Sequence, residues 1–448
     1  MPSRPQIVAY FLIVLFLCSW HLDHGTNDST LSRAMAVSAI VETGSSEFTA
    51  HQALTGDKAL VDGRYYTDKA PLPTWILVPF WALARVLGAV PTQPDGSSYA
   101  TLLRIGGFFW GSVPFACIAV VLWTRLYAWG SGIGAKALAV ALPLFGSFLF
   151  VYSGSFYNHI GAALFVLLST LALEKERPLL AGLWASAALL TDTAVIVVIA
   201  VQFAQVAAFR PIGAGIRFSV ATAVGLLLLM LNNHIITGSA LTFPSAMAAN
   251  YPHMKQGLGF RGWSMDALLG LTVSLYRGLF IYMPALIALV LIRPLSSWRA
   301  WAADPFVLPA IALIIAYAAH STWSGGWTYG PRYITCSALL LLAFMLKHLR
   351  TDRKSLLALF GLATVGALCA LAAISTLGYS LPSGITNPLV DLVWPAVRAG
   401  RWTDAQLPVL LGLSPATSTL LYLFTWALGV LLLTRIDHRI EHAPVPLS

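Results

Sequence analysis

The residues whose types and spacing could do chemistry are gathered near the amino end of this chain. Between His21 and Thr74 stand Asp23, Asp28, Glu42, Glu47, Asp57, Asp62 and Asp68, seven of the 18 acidic residues in a chain of 448. The same stretch carries Arg33 and Arg64, and Lys69 within RYYTDKAPLP. A carboxylate can take a proton from an attacking hydroxyl or amine. A Lys or Arg beside it can hold a phosphate and stabilise it as it leaves. Asp28, Asp57 and Asp68 are therefore the candidate bases, although Asp28 also reads as a helix N-cap before LSRAMAV. Further candidates stand at the ends of later apolar runs: Asn158 and His159 in SFYNH, Arg277 in LYRGLF, and Tyr329 and Arg332 in WSGGWTYGPRY. Aromatic rings stack on sugars, and Arg binds phosphate bidentately. No HExxH or DxD is present, so no metal ligand is assigned and a divalent cation is left open as a cofactor.

The rest of the chain must hold these residues in a bilayer. Its composition is 58% hydrophobic and 10% charged, with mean hydropathy +0.75. An ordinary soluble domain carries about 25% charged residues. The expectation is an all-α polytopic membrane protein, because the alternating ten-residue runs of a β-barrel are not visible. The net charge of +9 comes from Lys and Arg scattered through short loops, as membrane topology requires, which excludes nucleic acid as a partner. Cys18, Cys117, Cys336 and Cys369 all fall in apolar runs with no metal spacing and read as small core residues. MPSRPQ and the apolar run after it resemble a signal peptide, but no A-x-A-type site follows, so an uncleaved first span is expected.

Charge bookkeeping sets the expected topology. The first span covers roughly residues 6–22, and the polar stretch 23–103 is then a large first extracytoplasmic loop. Within that loop, Leu31 to Gly44 has apolar residues at helical spacing, ends on a glycine stop and is expected to be a short amphipathic helix lying on the membrane. Residues 71–91 are expected to be a helix embedded in the outer leaflet, since a full crossing there would put RPIGAGIR, RPLSSWR and KHLRTDRK outside. The remaining helices occupy 104–434, with spans at 136–154, 278–293 and 304–320 among them. The total is about twelve in one integral-membrane domain, 1–448, with both termini cytoplasmic. Polar and aromatic residues then gather on the outer face, and short basic connectors on the inner one.

In this order the motifs resemble a family. An acid just after the first span, an Arg, an amphipathic helix, a Gly, and then Tyr-x-x-Lys-x-Pro-Leu is similar to the GT-C glycosyltransferase superfamily. The nearest likeness is to the branch holding the lipid A aminoarabinose transferase and the protein O-mannosyltransferases. The matching residues are Asn27-Asp28, Ser32-Arg33-Ala34 and Tyr66-Thr67-Asp68-Lys69-Ala70-Pro71-Leu72. The segments TGSALTFP, SLYRGLFIYMPAL and WSGGWTYGPRYI extend it over most of the chain.

The resemblance implies a hexosyl or pentosyl transferase at the outer face of an inner (plasma) membrane of the cell envelope. Its donor would be a polyprenyl-phosphate sugar, its acceptor a lipid, glycan or protein, and membrane lipids would surround it. It assigns the catalytic acid to Asp28, phosphate contact to Lys69 and the donor-site lining to Tyr66. Asn158 and His159 stand where relatives often have a second acid, and Asn27 replaces one member of the acidic pair. Neither an amide nor an imidazole supplies a carboxylate, so two rival functions stay open: a transporter or flippase of lipid-linked sugars, and a non-catalytic membrane assembly protein.

Overall fold

The computed structural model describes residues 1–23, 27–90 and 96–441. It is mostly helical. Helix α1 (Arg4–Cys18) begins with Ser3 and Gln6 capping each other's backbone groups. Helix α2 (Asp28–Thr43) is capped by Asn27, which accepts from the Ser29 amide, so Asp28 is the first helical residue rather than the cap. The helix stops at Gly44, whose φ of 76° is left-handed and suits a residue without a side chain. A two-stranded hairpin follows, β1 (Ala59–Val61) and β2 (Arg64–Tyr66), and then helix α3 (Leu72–Val86).

The expectation of about twelve spanning helices is not met. Among the described residues, four helices are long and apolar enough to cross a membrane: Tyr99–Ala128, Ile212–Thr237, Arg353–Thr376 and Pro415–Asp437. They are the framework of a multi-pass membrane protein. The other apolar runs form shorter helices. The 15 residues of α1 rise about 22 Å, short of the roughly 30 Å of a hydrocarbon core.

Breaks in the backbone explain the difference. The run 136–154 divides into Lys136–Phe145 and Phe148–Val151 at Gly146. A side chain at Gly146 would meet the carbonyl of Ala363 at 2.4 Å, so the glycine is needed for close approach to the Arg353–Thr376 helix. The run 278–293 becomes one turn at Leu279–Tyr282 and a 3-10 stretch at Pro284–Leu291, opened by a proline that has no amide hydrogen. The run 304–320 keeps a helix only over Val307–Ala318. Hydropathy counts apolar residues and is blind to such interruptions.

Two buried clusters hold the helices. The larger joins α1, the long Tyr99–Ala128 helix and the Thr335–His348 helix, among others. The smaller packs α2 and α3 against residues 99–110. At the end of the His159–Glu174 helix far from His159, Glu174 accepts from Arg125 at 2.7 Å and pairs with Lys347 at 2.9 Å. That ion network ties three helix ends together. At the near end, the Asp23 amide donates to the Gly154 carbonyl at 2.8 Å. The backbones are so close there that a side chain at Gly154 would lie 1.6 Å from the His21 carbonyl.

Candidate functional site

The hairpin sets the geometry of the acids. Strand register pairs Ala59 with Tyr66 and Val61 with Arg64. The two-residue connection, Asp62-Gly63, has φ of 48° and 79°, the paired positive values of a I′ turn. Carrying the register two residues past the strand ends sets Asp57 opposite Asp68. Lys69 closes the gap: its Nζ lies 2.7 Å from Asp57 Oδ2 and 3.0 Å from Asp68 Oδ1. The exit of the hairpin is fixed to α2 by a 2.9 Å hydrogen bond between the hydroxyls of Ser32 and Thr67. Tyr66 ends β2 in a half-buried position and also bridges to Glu47.

A distant segment completes this corner. The Ala249 amide donates to the Lys58 carbonyl at 2.9 Å, and the Asn250 side chain donates to the Gly56 carbonyl at 3.0 Å. These bonds hold the Tyr251 hydroxyl where it donates to Asp57. Asp28 is exposed at the rim. A side chain at Gly56 would meet Asp28 Oδ2 at 2.7 Å, so the backbone next to Asp57 passes close under the Asp28 carboxylate.

The two facing carboxylates are electrostatically unequal. Burial pushes Asp57 up, but the charge and hydrogen bond of Lys69 outweigh it and leave Asp57 below its ordinary value. Burial also pushes Asp68 up, and here the negative charge of Asp57 adds to it, so Asp68 sits above its ordinary value despite Lys69. Burial alone would lower Lys69, yet the two carboxylates raise it. Environments that drive a pair of like groups apart in this way give them different proton-handling roles.

A second group of residues lies beside the first. Arg33, 2% exposed on α2, donates to Asn158 Oδ1 at 2.6 Å and to the Ser29 carbonyl at 3.0 Å. Asn158 passes the connection on by donating to the Thr191 carbonyl at 3.0 Å. His159 Nδ1 lies 2.9 Å from Asp192 Oδ2, and its ring stacks on Tyr157. The Arg332 guanidinium lies over Tyr157 at 4.8 Å and over Tyr333 at 5.2 Å. Its Nε and Nη1 are buried without a hydrogen-bond partner among the described residues, as is the Tyr157 hydroxyl. The Arg332 charge reaches Asp57 and helps to lower it.

The remaining two candidates stand apart from this group. Arg277 is fully buried and donates to the carbonyls of Tyr276, Gly326, Leu381 and Pro382. Tyr329 packs edge-on against Tyr282, and its amide donates to the Tyr152 hydroxyl at 2.9 Å. Among the described residues no three His, Cys, Asp or Glu side chains gather as metal ligands do.

No family model and no curated protein matches the chain. The chain is distantly similar to one solved structure. That is a crystal structure of ArnT from Cupriavidus metallidurans bound to undecaprenyl phosphate. Identity is 16%, the match covers 96% of this chain and 77% of that chain, and the TM-score is 0.47. The likeness is too distant to carry roles from that protein to individual side chains, which rest on the geometry above.

Sequence reasoning left three of these residues out. Asp192 reads as a structural turn residue, yet it holds His159. Tyr251 and Tyr157 carry no local signal, because each meets its partner across a long stretch of chain. The hairpin did leave a signal. Asp62-Gly63, between the runs Ala59–Val61 and Arg64–Tyr66, is a dipeptide that a I′ turn favours.

Proposed function

We propose that the chain is a membrane-bound glycosyltransferase that takes a sugar from a polyprenyl-phosphate donor. The observation that carries this reading is Lys69 held between two unequal carboxylates, at the start of a helix that turns an apolar face outward. Lys69 directly precedes α3, where Ile76, Phe80, Leu83 and Val86 are exposed. An amphiphile whose phosphate meets Lys69 can lay its hydrocarbon along α3. The unpaired Nε and Nη1 of Arg332 supply the second phosphate contact, with Arg33 and Asn158 as the frame that holds the site's floor.

In this mechanism Asp57 is the general base. Without donor its negative charge is matched by Lys69. When a phosphate draws the Lys69 ammonium away, Asp57 loses its partner and becomes a stronger base at the moment an acceptor is needed. An acceptor hydroxyl gives its proton to Asp57 while its oxygen bonds to the anomeric carbon. The bond from that carbon to the phosphate oxygen breaks, and the electron pair leaves on the lipid phosphate. Lys69 and Arg332 stabilise that charge, so no proton is required there. Asp68 holds the other side of the Lys69 ammonium. Asp28 stands at the entrance and Tyr66 lines it.

In this reading the chain is one integral-membrane unit over residues 1–448, with its site on the extracytoplasmic side. The test is transfer from radiolabelled polyprenyl-phosphate sugars by the purified protein in lipid nanodiscs, using a panel of sugars and acceptors. Transfer by the wild type and its loss in Asp57→Asn with donor binding retained support the proposal. Donor consumption that is equal in both proteins refutes Asp57 as the base.

A further inference from the structure

The loops next to the Arg332 turn enclose a cleft of about 570 Å³ that the chemistry above does not use. Its lining includes Trp327, Thr376, Ser380, Trp402, Thr403 and Asp404. Three separate stretches form its walls, and each is fixed. Arg277 ties the first to the second through the carbonyls of Gly326, Leu381 and Pro382. The third is tied to the second by the Thr403 amide, which donates to the Ser375 carbonyl at 3.0 Å. A cleft whose walls are tied by hydrogen bonds is preorganised, and its volume is within the roughly 300–1,000 Å³ range of ligand pockets.

The wall chemistry is specific. Trp327 is 56% exposed and Trp402 is half-buried, and both indoles line the cleft. Hydroxyls of Thr376, Ser380 and Thr403 and the exposed Asp404 carboxylate surround them. The Ser380 hydroxyl is buried without a partner among the described residues. Flat apolar faces together with hydroxyl-binding groups suit a pyranose ring, which has C–H faces and an equatorial belt of hydroxyls.

A second, smaller cavity of about 30 Å³ lies behind the cleft and shares Leu377 and Thr403 with it. His21, 5% exposed, lines it with both ring nitrogens unpartnered among the described residues. That volume holds one or two waters that could satisfy the imidazole. Tyr379 also lines this cavity. It donates to Asp23 at 2.7 Å and packs edge-on against Tyr157, the ring beneath Arg332. Two aromatic rings, Tyr379 and Tyr157, thus connect the small cavity to Arg332.

We infer that this cleft binds a sugar ring of the acceptor, which makes the acceptor a glycan or glycolipid. The inference rests on the transferase reading for the word acceptor, while the binding itself is tested separately. The experiment is saturation-transfer difference NMR on the full chain in nanodiscs. The probes are the methyl glycosides of glucose, galactose, mannose and N-acetylglucosamine. At least one is expected to receive saturation on its ring protons. That signal should fall at least fivefold in Trp327→Ala and in Trp402→Ala, and recover in part in Trp327→Phe, which keeps a stacking face and controls for folding. Lys69→Ala should lose polyprenyl-phosphate binding and keep the glycoside signal. If it keeps polyprenyl-phosphate binding, the donor reading fails and the cleft stands. The inference is overturned if no glycoside is saturated, or if saturation is equal in the wild type and both alanine variants. It is also overturned if brominated lipid quenches both indoles, because they would then face the bilayer as interface anchors.

Discussion

Lys69 Nζ and Asp57 Oδ2 are 2.7 Å apart, while Asp68, set opposite Asp57 by the hairpin register, shares the same ammonium at 3.0 Å. One cation between two carboxylates cannot serve both equally. Asp57 falls below its ordinary value of 3.8 and Asp68 rises above it. The stabilisation from Asp57 is therefore fully present above about 3.8 and is lost as pH falls through its lower folded value. For Asp68 the sign reverses. Its contribution is present below its ordinary value and is lost as pH rises through the folded one. Thermal unfolding in detergent should show Asp57→Asn less stable than wild type at pH 7, with the gap closing in acid. Asp68→Asn should be at least as stable as wild type at pH 7.

Removing the shared cation should cost more than removing either acid. Lys69→Met leaves two buried carboxylates facing each other, a loss of about 3 kcal/mol. The double variant Lys69→Met with Asp57→Asn should regain most of that loss, because the repulsion goes with the second charge. Melting curves of the wild type, Lys69→Met, Asp57→Asn and the double variant measure the coupling. Additive losses would show that the pair is not coupled.

The acids should separate by rate. Asp57→Asn is expected to lower transfer by about 10²–10⁴-fold, the usual worth of a general base. Asp28→Asn should stay within about tenfold of wild type, since Asp28 is exposed at the rim of the site and a rim charge acts mainly on encounter. Initial rates at saturating donor distinguish them. The reverse order would move the base to Asp28.

Arg33 should matter for position rather than for charge. Its bonds run to Asn158 and to the carbonyls of Ser29 and Phe156, a fork that lysine cannot reproduce. Arg33→Lys keeps the charge and should still destabilise the protein by about 2 kcal/mol. A melting temperature equal to wild type would mean that the fork carries no weight.

Sidedness can be read by labelling. The Arg353–Thr376 helix has 24 residues and rises about 36 Å, so its start lies far from the cleft at its end. Single cysteines at Lys354 and Arg401, both exposed and separated by that one crossing, should react with an impermeant maleimide from opposite sides of a sealed vesicle. Labelling of both from one side would remove the topology on which the proposed sidedness rests.

What the sequence revealed was local. Asn27-Asp28 before an apolar-periodic run and Gly44 after it mark α2, because caps and stops are chemistry within a few residues. The composition marks a membrane protein, but the run 278–293 looks like a span and is broken at Pro284, where a missing amide hydrogen and local packing decide. The site was legible only in part for a related reason. Lys69 and Asp68 are sequence neighbours of the motif, and Asp57 precedes the Asp62-Gly63 turn. Tyr251 meets Asp57 from a segment nearly 200 positions away, and Asp192 meets His159 across two helices. Such pairings leave no periodicity to read.

The central claim is that a lipid phosphate sits between Lys69 and Arg332 beside Asp57, and the structure of the protein in nanodiscs with a polyprenyl phosphate tests it most directly. The account predicts phosphate oxygens within hydrogen-bonding distance of Lys69 Nζ and of Arg332 Nε or Nη1, with the Lys69–Asp57 contact lengthened from 2.7 Å. A phosphate bound elsewhere, with Lys69 still closed on Asp57 and Asp68, would contradict it.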